Sequence, residues 1–420
     1  MVRCMRTLVF EQWQGGHYFN YLECLVPRLA ELSGEVIVAI TDRAASSERF
    51  ARQLGHLRNL PNVRFDRQVT VPDRKNRLMF RMKLGKNVVD AIQRNKPDCV
   101  FLPSADEQVL ALPLQALAGA GRRIRAIPVE AVIHYKSYTS CSNAAERMLS
   151  AVQSQLLRTK VFSRLNFVNF LQFEDAVARR LPWARMARAA GDPVPQGPRI
   201  ERPHARRLLG LEEGGRYIGM IGDLDARKAV PQTLAAFRAA RLSGTDRLLL
   251  AGKLTPNYAQ LVHEEYFDLV RNGTLVVIDR FLTDEELAHA FAALDLHCSV
   301  YNDFTGLSSL MLKSVAAGVP VIVDDLGWAR AVVRRFCIGR TADHRRPDEY
   351  ATALREALEA SAAYAETPAV ARLLRFHSIE NFTEGLVERV AAVAGRPPSL
   401  PVLSWSWVLE SLAPELRHLR

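Results

Sequence analysis

Two segments combine phosphate-binding residue types with positions at the ends of predicted strands. Gly15 and Gly16 stand between an apolar strand and an amphipathic helix, and Arg227 and Lys228 follow the strand Tyr217–Ile221 through a polar loop. A helix that begins directly after glycines presents free N–H groups and its positive dipole end to an anion. A lysine at the carboxyl end of a parallel strand faces the edge where open α/β sheets bind ligands. Both segments therefore predict a site for phosphate.

A third segment, from Leu296 to Ile322, has the order strand, polar loop, helix, glycine turn, strand. The hydroxyl residues of Thr305–Ser308 can cap the helix, and the unpaired amides of its first turn could hold a phosphate. Gly318 fits the end of that helix, and Pro320 follows it. Because its features are many and ordered, this segment is the most specific signal in the chain.

Each feature also has a purely structural interpretation. An isolated glycine pair is more often a tight strand-to-helix turn, and Arg227 with Lys228, taken alone, suits a solvated basic turn. His134, at the end of another predicted strand, would by itself be a satisfied, partly buried histidine. The position of these residues in the fold therefore has to decide between the two interpretations.

The elements around these segments follow from hydrophobic periodicity. Short apolar runs alternate with helical patterns in both halves, which predicts βαβ units and parallel sheets. Gly191–Pro203 contains four prolines and two glycines, so neither a helix nor a central strand can continue through it. We therefore expect an N-terminal domain at 1–192, a C-terminal domain at 193–395 and a tail at 396–420.

Predicted strands in the first domain are Thr7–Phe10, Val36–Thr41, Val63–Asp66, Cys99–Leu102, Ile127–His134 and Phe167–Leu171, with a helix at His17–Leu32. Those in the second are Tyr217–Ile221, Arg247–Ala251, Leu275–Ile278, Leu296–Val300 and Pro320–Val323. Helices are expected between them, followed by closing helices at Asp348–Ser361 and Val370–Val393. The tail, which contains Trp405 and Trp407, is expected to be irregular.

Composition excludes several classes of protein. Hydrophobic residues make up 48% and charged residues 24% of the 420, as in a folded globular protein. The six cysteines have no CxxC spacing, which argues against a zinc knuckle or a disulfide framework and for a reducing cytoplasm. No apolar run suits a signal peptide or a membrane helix, so any membrane contact is expected to be peripheral, on the inner face. The net charge of +11 favours phosphate-bearing ligands, but no nucleic-acid-binding motif accompanies it.

At these residues the chain resembles the retaining GT-B glycosyltransferases of glycosyltransferase family 4. IGDLDARKA at Ile221–Ala229 is similar to the family's VGRLxxRKG, and KSVAAGVPVIV at Lys313–Val323 is similar to EAMAxGxPVIA. LLLAGK at Leu248–Lys253 matches the nucleotide-strand motif, and VIHYKSY at Val132–Tyr138 resembles the strand-end histidine motif. The resemblance spans Leu8 to Leu354 in order. It implies an α/β fold of the GT-B type, with two Rossmann-like domains whose parallel sheets face a central cleft.

The resemblance implies a bacterial-type enzyme of the EC 2.4 class that moves a sugar from a nucleotide-sugar donor to a glycan or lipid-linked acceptor, as in polysaccharide biosynthesis. His134 would lie at the reacting sugar, and Lys228 would hold the diphosphate. The nucleotide sugar would be a co-substrate, with no cofactor and no metal, since no convincing DxD loop occurs. The remaining residues that the resemblance assigns to the donor are Gly15, Gly16, Arg227, Gly252, Lys253, Thr305, Gly306, Leu307, Ser308 and Lys313.

The sequence departs from the family at two positions that matter for catalysis. The paired glutamates, eight positions apart, fall on Thr305 and Lys313 when Gly318 is aligned, and neither residue is acidic. Sliding the loop to place Asp303 in the first position requires a two-residue insertion. Two rivals follow: a GT-B-like binding or assembly subunit without transfer activity, and another GT-B enzyme such as a sugar-nucleotide epimerase.

The acceptor is expected to bind the N-terminal domain, where such folds vary most. Basic residues within Arg74–Lys86 could face a phosphorylated or lipid-linked acceptor at a membrane surface, although a solvated helix face is the more common arrangement. These residues are Arg74, Lys75, Arg77, Arg81, Lys83 and Lys86.

Overall fold

The computed structural model describes residues 5–14, 17–73, 75–134, 144–396, 398 and 400–412. The chain divides into two compact units, one made of Met1–Pro193 with Phe376–Trp405 and the other of Val194–Arg375 with Ser406–Arg420. Each unit is built around one sheet of parallel strands flanked by helices. Two Rossmann-like units are therefore present, as the sequence predicts.

The sheet of the first unit has the strand order β3-β2-β1-β4-β5-β6-β7. Its strands are β1 (Arg6–Phe10), β2 (Glu35–Thr41), β3 (Val63–Val69), β4 (Cys99–Leu102), β5 (Val129–Ile133), β6 (Arg164–Phe167) and β7 (Ala187–Ala189). Its helices up to residue 193 are α1 (Tyr18–Leu32), α2 (Asp42–Ala45), α3 (Glu48–Gln53), α4 (Arg77–Asn95), α5 (Gln108–Gln115), α6 (Gly121–Arg125), α7 (Ala144–Leu156) and α8 (Phe170–Ala178). Since β1 pairs with both β2 and β4, the strand order changes direction beside β1.

The sheet of the second unit has the order β10-β9-β8-β11-β12-β13, and it changes direction between β8 and β11. Its strands are β8 (Arg216–Ile221), β9 (Asp246–Ala251), β10 (Leu275–Ile278), β11 (Leu296–Ser299), β12 (Val321–Asp324) and β13 (Gly339–Ala342). The helices that follow are α9 (Arg202–Leu208), α10 (Val230–Ala239), α11 (Pro256–Glu265), α12 (Phe267–Arg271), α13 (Asp284–Ala292), α14 (Ser309–Ala316), α15 (Gly327–Phe336), α16 (Pro347–Ser361), α17 (Pro368–Phe376), α18 (Ile379–Val393) and α19 (Trp405–Leu409).

Alternation along the strands explains why the second sheet is covered on both faces. Ile218 and Met220 of β8 belong to the core on one face, whereas Tyr217 and Ile221 belong to the core on the other. Successive side chains of a strand point to opposite faces, so both faces become apolar only when the run is continuously apolar. The side chains of β8 are therefore used for packing, and the loops at the strand ends are the more favourable place for polar groups.

The C-terminal boundary differs from the expected one. The sequence predicts a second domain at 193–395, but Phe376–Trp405 belongs to the first unit. Helix α18 packs against α1 there, and the Arg28 guanidinium bonds the Glu384 carboxylate at 2.9 Å. Arg28 lies more than 300 residues before Glu384 in the sequence. Hydrophobic periodicity does not reveal such a contact, so it assigned α18 to the domain that precedes it in the sequence.

Three local expectations were wrong. A strand was expected at Phe167–Leu171, but Asn169 caps α8 by accepting a hydrogen bond from the Leu171 N–H at 3.1 Å. The single helix expected at Val370–Val393 is two helices, because Ser378 caps α18. The tail is not wholly irregular, since Trp405 begins α19 and stacks on Phe170 with ring centroids 4.2 Å apart.

Within the described part of the chain, no helix is both long enough and apolar enough to cross a membrane.

Candidate functional site

Lys228 is buried at the point where the second sheet changes direction. It follows β8 and forms an isolated bridge with Tyr301, which follows β11. Its ammonium donates a hydrogen bond to the carbonyl of Ile221, the last residue of β8, and lies 5.5 Å from the centre of the Tyr301 ring. Burial lowers the pKa of Lys228 below its usual value, and the neighbouring Tyr301 and Asp223 oppose that shift. Ligands of open α/β sheets bind at this position.

Tyr301 connects the lysine to the start of helix α14. The Tyr301 hydroxyl lies 3.1 Å from Ser308 Oγ, and Ser299 Oγ lies 3.2 Å from the same atom. Ser308 caps the helix by accepting a hydrogen bond from the Met311 N–H at 3.3 Å. The sequence-predicted Lys228 and Ser308 are thus brought together through one intervening side chain.

The backbone at the start of α14 has unpaired N–H groups. Among the described residues, the N–H groups of Gly306, Leu307 and Ser308 donate to no acceptor. The loop is held in place by other contacts, since the Thr305 carbonyl accepts from the Trp328 N–H at 3.0 Å. Free amides at a helix start, together with a nearby ammonium, form an arrangement suited to an anion.

The two positions that hold glutamates in the resembling family contain no carboxylate here. Thr305 is exposed, and Lys313 is half-buried in the second turn of α14. Asp303 is also exposed and has a left-handed backbone with φ of 51°. The described residues therefore provide no buried carboxylate at either position.

Arg227 and Lys253, the other predicted cations, are paired with carboxylates. The Arg227 guanidinium contacts Asp225 at 2.8 Å, and the Lys253 ammonium contacts Asp279 Oδ1 at 3.1 Å. Both side chains remain about half exposed or more. They lie in loops after β8 and β9, at the same edge of the sheet as Lys228, but only Lys228 is buried there.

Gly252 has a packing role that the sequence does not reveal. Its φ is 141°, and a Cβ added to it would lie 2.0 Å from the carbonyl oxygen of Gly222. The loops after β8 and β9 therefore approach each other more closely than any side chain allows.

Gly252→Ala is expected to lower the free energy of unfolding by about 2–4 kcal/mol, because the added carbon forces these two loops apart. Gly273→Ala is the matched control, since Gly273 also has a positive φ, of 75°, but its Cβ position is open. Gly273→Ala should lower the free energy of unfolding by only about 1 kcal/mol. Urea denaturation of both variants measures the difference, and equal losses would contradict the close approach.

A relay of hydrogen bonds, from the buried Asp324 and His344 through the half-buried Asn302, supports the loop that carries Lys228. His344 Nδ1 lies 2.9 Å from Asp324 Oδ1, and its Nε2 lies 3.1 Å from Asn302 Oδ1. Asn302 in turn donates from Nδ2 to the Ala226 carbonyl at 3.0 Å and from its backbone N–H to the Arg227 carbonyl at 2.7 Å. The loops after β8 and β11 and the ends of β12 and β13 are joined in this way.

Asp343 lies beside this relay, and its carboxylate, an Asp324 oxygen and a His344 nitrogen lie within 4.8 Å of one another. These are metal-ligand types, but here each has a protein partner: the Asp343 carboxylate contacts Arg345 at 2.7 Å, and His344 bonds Asp324 and Asn302. The hydrogen-bonded relay therefore accounts for their arrangement.

His344→Ala is expected to loosen the loop at 226–228, because Asn302 loses the partner that orients its amide. Hydrogen exchange followed by mass spectrometry should show faster exchange at 226–228 and 302 than in the wild type. His263→Ala, which removes an exposed histidine from α11 of the same unit, is the control and should leave this exchange unchanged. Unchanged exchange in His344→Ala would refute the relay.

In the first unit, His134 directly follows β5 and belongs to a cluster of aromatic and acidic side chains. Its Nδ1 lies 3.1 Å from Asp106 Oδ2, and its backbone N–H donates to the same carboxylate. The rings of His17 and Tyr21 lie 4.5 and 5.1 Å from the His134 ring, centre to centre. Burial, together with His134, lowers the pKa of His17 to about 3, so His17 is neutral at physiological pH.

Sequence reasoning singled out His134 but missed its partners. Tyr21 lies four residues after His17, so the two share one face of a helix, and that spacing is a signal that could have been used. The Tyr21 hydroxyl donates to Asp192 at 2.5 Å, in the segment that the sequence identified only as a linker. Asp106 has no comparable signal, because only the adjacency of β4 and β5 brings it to His134.

Several predicted features lie wholly or partly outside the described residues, among them the motif at Val132–Tyr138, of which 135–138 are not described. Gly15 and Gly16 are among the residues not described, and so is Arg74. In the basic segment that follows, Lys75, Arg81 and Lys86 contact the carboxylates of Asp73, Glu107 and Asp90 at 3.6, 3.6 and 2.6 Å. Much of the basic charge of this segment is therefore compensated by neighbouring acids.

No protein-family profile matches this sequence, and no curated protein matches it either. Solved structures do match it, over almost the whole chain. HepE of Anabaena in complex with UDP and glucose is 14% identical, with a TM-score of 0.62 over 92% of this chain and 100% of HepE. A glycosyltransferase from Rickettsia africae is 11% identical, with a TM-score of 0.64 over 93% and 99% of the two chains.

Sucrose-phosphate synthase from Thermosynechococcus elongatus is 15% identical, with a TM-score of 0.61 over 93% of this chain and 97% of the synthase. The chain has the GT-B fold. The expected fold class is thereby confirmed, whereas membership of glycosyltransferase family 4 stays a prediction.

Proposed function

We propose that this GT-B protein is a glycosyltransferase that transfers a sugar from a nucleotide-sugar donor. The observation that carries the proposal is the buried ammonium of Lys228 at the point where the second sheet changes direction. A diphosphate leaves as an anion during transfer, and a preorganised cation near the free amides of Gly306–Ser308 would stabilise that growing charge. The structures of HepE with UDP and with UDP-glucose make uridine nucleotides the first donors to test.

The proposed mechanism needs no carboxylate pair. In a retaining reaction, the departing phosphate takes the proton of the acceptor hydroxyl on the same face of the sugar, so the protein's main task is electrostatic. His134, oriented by Asp106, is assigned to the reacting sugar. We propose that the reaction requires no metal ion. Lys228 and the amides at the start of α14 would stabilise the charge of the diphosphate instead.

Lys228→Met is expected to weaken UDP and UDP-glucose binding by about 10- to 150-fold, the equivalent of losing one hydrogen bond to a charged group. Methionine has a similar length and no charge, so it removes the desolvation cost of the ammonium and the fold should be retained. Isothermal titration of wild type and variant with UDP, GDP and ADP measures the effect and the choice of base.

Arg271→Ala is the control, since Arg271 is an exposed cation of the same unit on α12, away from the loops that follow the strands. It should leave nucleotide affinity unchanged. Equal nucleotide affinity in wild type and Lys228→Met would place the phosphate elsewhere and remove the main support for the proposal.

The rival function is a GT-B-like binding or assembly subunit that does not catalyse transfer. Its support is the exposed Thr305 and the cationic Lys313 at the positions of the paired glutamates. A carboxylate there commonly binds the ribose hydroxyls in the resembling family, and a lysine cannot accept such hydrogen bonds.

Turnover discriminates the two functions. We expect release of UDP from UDP-sugars to be detectable with purified protein and glycan acceptors, to persist in EDTA and to fall by about 100-fold or more in Lys228→Met. Nucleotide binding without turnover of any donor would favour the subunit. Turnover that EDTA abolishes would instead contradict the metal-independent mechanism.

A further inference from the structure

Buried polar side chains gather at the edge of the first sheet where β1 and β4 end. Glu11 and Gln12 directly follow β1, and Gln108 is the first residue of α5, shortly after β4. Their exposed fractions are 1%, 3% and 1%. These two strands flank the point where the strand order of the first sheet changes direction, which is where open α/β sheets bind ligands.

The cluster has more hydrogen-bonding groups than the described residues satisfy. Glu11 Oε1 accepts from the Trp13 N–H at 2.8 Å, but Oε2 makes no hydrogen bond of good geometry. Nε2 of Gln12 and Oε1 of Gln108 are likewise unpartnered. Gln108 Nε2 reaches the Leu84 carbonyl and Gln12 Oε1 only at 3.4 and 3.5 Å. Because buried polar atoms in native proteins nearly always have partners, these atoms indicate a missing one.

The carboxyl of Glu11 is mostly protonated at pH 7, so the cluster is mostly neutral. Burial raises the pKa of Glu11 to about 8, despite the opposing contacts from the Trp13 N–H and the Ser104 hydroxyl. A protonated carboxyl donates one hydrogen bond and accepts others, and each carboxamide does both. Such a set matches hydroxyl groups, which also donate and accept, and it has no cation with which to hold a phosphate.

An aromatic side chain extends the cluster. Trp13 is half-buried and packs against Phe80, Leu84 and Ala111 at the contact of α4 with α5. An indole beside groups that bind hydroxyls provides the apolar surface that the C–H face of a sugar ring requires. The polar and apolar groups meet at Leu84, which packs against Trp13 and whose carbonyl is approached by Gln108 Nε2.

We propose that Glu11, Gln12 and Gln108 form a subsite for the hydroxyls of an uncharged sugar, with Trp13 as its apolar wall. The inference rests on the proposed function and deepens it, because it assigns the acceptor to the neutral carbohydrates. Among the described side chains that form the cluster there is no cation, so we expect no recognition of an acceptor through a phosphate here.

The experiment is saturation-transfer NMR on the full chain at pH 7 with the methyl glycosides of glucose, galactose and mannose. At least one neutral glycoside should bind with millimolar affinity, and glucose 6-phosphate should bind no better than its neutral counterpart. Glu11→Leu and Gln108→Leu should each weaken glycoside binding by 10-fold or more. Glu11→Gln, which keeps a neutral donor and acceptor, should restore it to within about 3-fold of the wild type.

Gln93→Leu is the matched control, since Gln93 is exposed on α4 and should leave glycoside binding unchanged. Absence of binding by all three glycosides, or equal binding by wild type and both leucine variants, would overturn the subsite and leave a water-filled cluster. A UDP titration of the wild type distinguishes failure of the proposed donor function from failure of the sugar subsite. Glycoside binding that depends on Glu11 without UDP binding would refute the donor function alone.

The protonation state has its own test. The unfolded carboxyl loses its proton near pH 4.5 and the folded one near pH 8, so between these values a rise in pH favours the unfolded state. The melting temperature of the wild type should therefore fall relative to that of Glu11→Gln as the pH rises from 5 to 8. If the melting temperatures of the wild type and Glu11→Gln changed with pH in the same way, Glu11 would be ionised in the folded chain. That result would overturn the neutral subsite.

Discussion

The constraint on which the rest of the structure depends is that both sheets are parallel and covered on both faces. Most side chains along their strands pack in a core, as the division of β8 between two cores shows. Since all strands of a parallel sheet end at the same edge, the loops at that edge are the place where polar groups can gather. His134 and Glu11 lie directly after strands for this reason, and Lys228 lies in the loop that follows β8.

Burial of the Lys228 ammonium has an energetic cost. Removing an ammonium from water is unfavourable by several kcal/mol unless charged or polar partners replace the solvent. Among the described residues its hydrogen-bond acceptor is the Ile221 carbonyl, and no carboxylate lies within 4 Å. An anion would supply the missing partner. The relay from Asp324 through His344 and Asn302 holds this loop by hydrogen bonds, and we expect it to position the ammonium before a ligand binds.

Much of the fold could be predicted from the sequence, because strands such as Cys99–Leu102 and Leu275–Ile278 are continuous apolar runs. β7 and β13 were missed, since Ala187–Ala189 and Gly339–Ala342 contain small and polar residues without such a run. Of the candidate site, only residues in local motifs could be found. Asp106, His344 and Glu11 acquire their roles from neighbours distant in sequence.

The two units differ in the chemistry of their strand ends, and that difference fits a transfer reaction. The second unit presents a lysine and free helix-start amides, groups that stabilise a departing anion. The first unit presents a neutral carboxyl and two carboxamides, which can recognise hydroxyls without attracting phosphate. The half-buried Lys313 in the second turn of α14 adds positive charge to this end of the helix. The proposed donor site would hold its ligand mainly through the phosphates, which requires no carboxylate at Thr305 or Lys313.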